Sequence, residues 1–180
     1  NTATFEPILN SIKGEAVISN ANIHFNKKVD PVKTSKLTIS YKNDTLGFDL
    51  YKPTYKDFSI DGSQVNIPNL TNKKGRVDVL IKTKEILGDD ILEILKAYDI
   101  SLPIKQVKGE TKAEVLLKIP YIKPLESFGN FELKNSELLI NNNFPFTSKY
   151  ANVELKNSKV IIKKSHFKHE GLVDATVDLT

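Results

Sequence analysis

The stretch Thr111-Lys-Ala-Glu-Val-Leu-Leu-Lys-Ile119 decides the fold class. Ala113, Val115, Leu117 and Ile119 fall at every second position, and Lys112, Glu114 and Lys118 fall between them. Side chains of a β-strand alternate between faces, so this run has one apolar and one wetted face. Arg76–Thr83 repeats the pattern, with Val77, Val79 and Ile81 opposed by Arg76, Asp78 and Lys82. Val173, Ala175, Val177 and Leu179 do so again, opposed by Asp174, Thr176 and Asp178. Strands wet on one face belong to antiparallel sheets.

Further upstream, Leu37, Ile39 and Tyr41 run into Asn43-Asp44, after which Leu46, Phe48 and Leu50 resume the alternation. Asn and Asp tolerate the positive φ of tight turns, so this segment reads as a hairpin. Lys84–Tyr98 breaks the period. Its apolar residues Ile86, Leu87, Ile91, Leu92, Ile94, Leu95 and Tyr98 recur at helical spacing. Asp90 and Glu93 offer a capping-box-like start, Gly88 a break, and Pro103 a stop. One amphipathic helix near 84–98 is expected on the sheet, with hairpins over 14–83 and 107–180.

An internal repeat occupies the last third. Leu133-Lys-Asn-Ser-Glu-Leu-Leu-Ile140 recurs as Leu155-Lys-Asn-Ser-Lys-Val-Ile-Ile162. In both copies the apolar alternation changes phase at Asn-Ser, which calls for a tight turn or a bulge. A looser copy opens at Gly14 and passes through Ile18, Asn20, Ile23 and Phe25, like the run that opens at Gly129. Gly14, Gly75, Gly109 and Gly129 each precede an alternating run and read as turn glycines.

The 180 residues are 39% hydrophobic and 27% charged, too apolar for intrinsic disorder. No apolar run approaches the roughly 18 residues of a membrane-spanning helix. The formal net charge is +4, yet Arg76 is the sole arginine and the lysines are scattered along the sequence. Nucleic-acid binders cluster their charge and use arginine, so that class is excluded. With no cysteine, disulfides, thiolate metal sites and cysteine nucleophiles are excluded too. Because the sequence opens on Asn1 and stops within an alternating run, 1–180 reads as a single segment of a larger elongated protein.

No catalytic constellation emerges. His166 and His169 stand three apart beside Glu170, a superficial metal pair, but odd spacing sends strand side chains to opposite faces. They read as surface histidines near a turn. Asp89-Asp90 suits a helix start, where acids complement the dipole. Phosphate loops, nucleophile elbows and calcium loops are missing from the sequence. No enzyme, cofactor or metal is expected.

One resemblance is carried by particular residues. Leu102-Pro103, Gly109, Ala113-x-Val115-Leu116-x-x-Ile119-Pro120 and Gly129-x-Phe131-x-Leu133-x-Asn135-Ser136 resemble the repeated segments of AsmA-like proteins, most closely the YhdP subgroup. Val153-x-Leu155-x-Asn157-Ser158-x-Val160-x-Ile162, followed by Ser165-x-Phe167 and Gly171, resembles the next hairpin. Gly14–Phe25 with Leu37–Leu46 looks like the same device earlier on. Asn-Ser stands where that family often has Asp-Gly or Asn-Gly.

The resemblance implies a long, strongly bent antiparallel sheet with an open hydrophobic trough, similar to the bridge-like lipid transfer proteins. It implies a periplasmic setting in a Gram-negative bacterium, an inner-membrane anchor lying outside this chain, and phospholipid carried toward the outer membrane. On that reading Leu37, Ile39, Val77, Val79, Ile81, Val115, Leu117, Phe131, Leu133, Val153 and Leu155 line the trough and solvate acyl chains. Ile91, Leu92 and Leu95 would cap or plug it. Outer-membrane or periplasmic proteins are further candidate partners, and nucleic acid is not. The rival reading is a structural or adhesive β-domain with a closed core and protein partners. A third is an enzyme that uses His166, His169 and Glu170, with or without a metal.

Overall fold

The computed structural model describes residues 12–157 and 159–179. Twelve strands make a single antiparallel sheet: β1 (Lys13–Ile23), β2 (Val32–Lys42), β3 (Thr45–Tyr51), β4 (Thr54–Tyr55), β5 (Phe58–Ser59), β6 (Gln64–Pro68), β7 (Arg76–Thr83), β8 (Ile104–Pro120), β9 (Glu126–Ile140), β10 (Phe144–Lys156), β11 (Lys159–His169) and β12 (Val173–Leu179). From β6 to β12 each strand pairs with its sequence neighbour, so the sheet grows hairpin by hairpin. At the other end β2 pairs with β1, β3 and β4, and β12 and β5 end the path without closing a barrel. The fold is mainly β and antiparallel, as the alternation requires, and it is open, as the family resemblance implies.

The β2–β3 hairpin turns at Asn43 and Asp44, with φ of 51° and 54°, the two consecutive left-handed residues of a type I′ turn. The two Asn-Ser copies part company. Asn157 (φ 54°) turns the β10–β11 hairpin, where Lys156 faces Lys159; Ser158 lies outside the described residues. Asn135 (φ 46°) sits inside β9 and bulges it. Leu133 is buried before the bulge and Ser136 and Leu138 after it, so the inward phase moves from odd to even positions. The looser copy behaves like β9. Asn20 stands six residues after Gly14, as Asn135 does after Gly129, and also has positive φ (53°) within its strand.

The phase change runs across the sheet as a crease. On β8 the buried residues pass from Gln106 to Thr111, on β10 from Ser148 to Ala151, and on β11 Lys164 (φ 41°) precedes buried Ser165. A bulge frees a carbonyl, and a small hydroxyl side chain satisfies it. Ser136 Oγ donates to Lys134 O (3.0 Å) and Ser165 Oγ to Lys163 O (3.1 Å). Thr34 donates to Lys36 O (2.8 Å) or Tyr51 O (2.7 Å) opposite Asn20. Of the expected turn glycines only Gly75 lies in a loop. Gly14 and Gly129 are inside strands, and Gly109 (φ 119°) is part of the crease itself. A Cβ at Gly109 would meet Ser136 Oγ at 2.6 Å and Ser136 Cα at 2.7 Å.

The helix is shorter than its apolar spacing suggests. α1 spans Asp89–Ala97, with Gly88 as its N-cap and no side-chain cap. Asp90 and Glu93 form no capping box, because both carboxylates turn to Lys56 in the β4–β5 turn. Lys84–Gly88 stay out of the helix, in bends, because Leu87 is tied to β8: its N–H donates to Gln106 Oε1 (3.1 Å), and its C=O accepts from Gln106 N (2.9 Å). Asp99 (φ 58°) ends the helix before Pro103 is reached.

Candidate apolar binding face

Residues opposite one another on paired strands share a face, so the register traces the rows directly. Ile39 faces Phe48, Phe48 faces Val65, Val65 faces Val79, and Val79 faces Leu117. The next row runs Ile81, Val115, Gly129, Leu155 and Val160. A third runs Thr83, Ala113, Phe131, Val153 and Ile162, and a fourth Thr111, Leu133 and Ala151. Leu37 faces Leu50 beside the first row, and Val77 faces Ile119. All the trough residues expected from the sequence therefore lie on one face. Gly129 carries no side chain because Leu155 Cβ already comes within 3.1 Å of where its Cβ would be.

That face is covered. Leu117 and Phe131 are 0% exposed, Leu37, Val79, Val115, Leu133, Val153 and Leu155 are buried, and Ile39, Val77 and Ile81 are half-buried. α1 turns Ile91, Ile94 and Leu95 inward, with Leu92 half-buried. Phe25 and Val29 of the β1–β2 loop, Tyr55, Ile60, Ile100 and Ile104 join the same cluster. Between α1, this loop and β6–β7 remains a cavity of about 60 Å³, lined by Phe25, Val29, Tyr55, Val65, Val79 and Ile94. Ligand cavities usually measure roughly 300–1,000 Å³. The helix thus plugs the face rather than bordering an empty groove.

Ionic contacts hold the plug from outside. Lys56 Nζ bonds Asp90, reaches Glu93 at 2.9 Å and Asp30 at 4.0 Å, while Lys105 meets Asp89 at 2.7 Å. Hydrogen bonds to Asp90 and then Glu93 push the Lys56 ammonium above its usual range. Burial pushes the Tyr98 phenol up, partly offset by a hydrogen bond with Asn26.

Beyond this face, the crease carries a polar network. Gln106, 1% exposed, accepts from Leu87 N–H and Thr111 Oγ1 and donates from Nε2 to Ser136 Oγ at 3.0 Å. Ser148 Oγ, paired in register with Ser136, is buried with no hydrogen-bond partner among the described residues. The histidines separate. His166 Nε2 lies 2.9 Å from Asp174 Oδ1, and His169 Nδ1 lies 2.6 Å from the Pro145 carbonyl with its ring against Phe146. Among the described residues no three His, Cys, Asp or Glu side chains gather in a metal-binding group.

Phe48, Ala113 and Ile119 complete the rows and were visible in the alternation; Val65, in the five-residue β6, was not read from it. Tyr55 and Ile60 were not, since β4 and β5 are two residues each and too short to show a period. The side chain of Leu179 lies outside the described residues.

The class the structure defines is an open antiparallel sheet of serial hairpins, with one continuous apolar face and polar residues behind it. The chain belongs to the YhdP family: the family model described as "YhdP protein" matches residues 3–170. No curated protein and no solved structure matches the chain. Membership points to a function related to lipid transport in general terms and to a membrane-associated, periplasmic type of protein; the family is not known for enzymes. No helix among the described residues is long and apolar enough to cross a membrane.

Proposed function

We propose that this chain is a non-enzymatic segment of a phospholipid conduit between the inner and outer membranes, and that its apolar face holds acyl chains. The observation that carries the reading is the continuity of the face. Val79–Leu117, Ile81–Val115 and Phe131–Val153 pair across successive strands without a charged side chain among them. Each methylene buried against such a row gains roughly 0.8 kcal/mol, with no headgroup contact needed. Holding that depends on area alone lets a chain slide. The outward row of Lys112, Glu114, Glu132 and Glu154 keeps the opposite face in water.

The rival reading, a structural β-domain with a dry core, is favoured by one observation: the present cavity is about 60 Å³. The two differ in whether α1 leaves. On the conduit reading, acyl chains replace Ile91, Ile94 and Leu95 against the sheet. The test is native mass spectrometry and solvent extraction of the chain after incubation with phosphatidylcholine–phosphatidylglycerol vesicles. It is run on the wild type and on Lys56→Glu, which repels Asp90 and Glu93. Bound phospholipid that rises in Lys56→Glu supports the conduit. A folded, lipid-free Lys56→Glu chain leaves the structural domain as the better account.

A further inference from the structure

The lysines look scattered in sequence, but the topology gathers several of them. The β2–β3 turn, the β6–β7 loop, the β8–β9 loop and the β10–β11 turn all emerge on one rim of the sheet. They are contiguous. Leu70 N–H donates to Asp44 O (3.1 Å), Tyr121 N–H donates to Gly75 O (3.1 Å), and Asn157 N–H donates to Ser127 O. This rim carries Lys42, Lys73, Lys74, Lys123, Lys156 and Lys159, all exposed. Among the described residues none of the six is in an ion pair. Among the described residues two acids share the rim. Asp44 is occupied by Tyr41 and the Thr71 amide, and Glu126 stands by the β8–β9 loop.

At the middle of this rim two apolar side chains project into water: Ile122 is 72% and Tyr121 48% exposed. They are held out for a reason. The Tyr121 ring packs over Gly75, where a Cβ would come within 2.2 Å of it, and of this loop's apolar residues it is Leu125 that packs against the core. The opposite rim differs in kind. It too exposes apolar side chains, Leu172 and Phe144, but its loops interleave Asp57, Asp61, Asp89, Asp99 and Glu170 with their lysines, so its charge is mixed.

We propose that the rim formed by the 42–45, 69–75, 121–125 and 156–159 turns docks on an anionic lipid surface, with Tyr121 and Ile122 entering the interface between the lysines. Lysine is a strongly hydrated point charge that suits a field of headgroups rather than bidentate recognition of one partner. A basic cluster gains about 1 kcal/mol per Lys at an anionic leaflet, and a Tyr–Ile tip adds apolar burial. The lysines, not the apolar face, would carry this contact, so it stands or falls separately from acyl-chain binding.

Vesicle flotation of the full chain tests the assignment, with neutral phosphatidylcholine vesicles compared against vesicles that also contain phosphatidylglycerol. The wild type is expected to float with the anionic vesicles only, and less so as salt rises. The triple variant Lys73→Glu, Lys74→Glu, Lys123→Glu should bind roughly a hundredfold more weakly, given roughly fivefold per lysine. Ile122→Ser should lose a few-fold. Lys27→Glu, Lys28→Glu, Lys84→Glu changes net charge equally on the opposite rim and should keep binding. If both triple variants lose binding alike, net charge and not this rim is responsible. If the wild type ignores anionic vesicles, the membrane assignment is overturned and an acidic protein surface becomes the better partner for the rim.

Discussion

Asn135 and Asn157 occupy the same place in two copies of Leu-Lys-Asn-Ser and share a left-handed backbone, with φ of 46° and 54°. One bulges a strand and the other turns a hairpin. What differs is the partner. β9 has β8 on one side and β10 on the other, and the chain must continue to Ile140, so the extra residue is absorbed as a bulge. After Asn157 nothing extends the pairing, and the chain folds back. The local conformation is set by the tetrapeptide, and its use by the topology.

Asn135→Gly should therefore be nearly neutral, because glycine enters this φ without strain. Asn135→Val should cost about 1–3 kcal/mol, since a β-branched residue is forced into a disfavoured region. Deleting Asn135 removes the residue that shifts the phase, so Ser136, Leu138 and Ile140 stay inward by plain alternation; the cost should exceed that of the valine variant because the crease against Gly109 and Gln106 is lost. Urea unfolding of the three variants gives the ranking. Equal stability of the valine and glycine variants would remove the bulge from the account.

Gln106 and Gly109 make the crease a second test. Replacing Gln106 by Leu keeps the volume but strands the Leu87 amide and the Thr111 hydroxyl, both of which give to Oε1. Each buried group left unpaired costs about 1–3 kcal/mol, so a loss of about 2–5 kcal/mol is expected. Gly109→Ala should be at least as damaging, since φ is 119° and Ser136 backbone lies in the way. Chemical denaturation reads both. A loss below about 0.5 kcal/mol in either would mean the crease relaxes freely.

Much of this arrangement was legible because a strand with one wet face writes its orientation into every second residue. The trough residues from Leu37 to Leu155 all came out on one face for that reason. The helix was legible in type but not in extent: Ile86 and Leu87 keep helical spacing, yet Gln106 claims the Leu87 backbone from nineteen residues away. Asp90 and Glu93 looked like a cap because Lys56, their actual partner, is distant in sequence. The clustering of lysines on one rim was hidden for the same reason. Long-range pairing gathers what local reading sees as dispersed.

Lys56 offers a prediction about motion. Lys56→Ala removes the contacts to Asp90, Glu93 and Asp30, leaving only Lys105–Asp89 among the described ion pairs at α1. Amides of Ile91–Leu95 should then exchange faster with deuterium, while those of β8–β10 should not change. The ion pairs are exposed, so the stability loss should be small and the local opening large. Added salt should shift wild-type exchange toward that of the variant. Unchanged exchange in α1 would mean that Ile91, Ile94 and Leu95 hold the helix without help.

The same region sets the behaviour at high pH. Lys56, with an ordinary value of 10.5, and Tyr98, with one of 10.0, both have their folded pKa raised. The unfolded chain therefore releases these protons first. Stability from both groups is fully present below about pH 10 and is lost as pH climbs through their folded values. Thermal melts should fall steadily above about pH 10. Tyr98→Phe should flatten part of that slope, because no buried phenol remains to ionise on unfolding. Lys56→Ala should flatten another part, and the opening free energy of α1, read from exchange corrected for its base-catalysed intrinsic rate, should fall with pH in the wild type but not in that variant. A melting temperature that holds through this window would show that neither group is coupled to folding, and the helix plug would then rest on its apolar face alone.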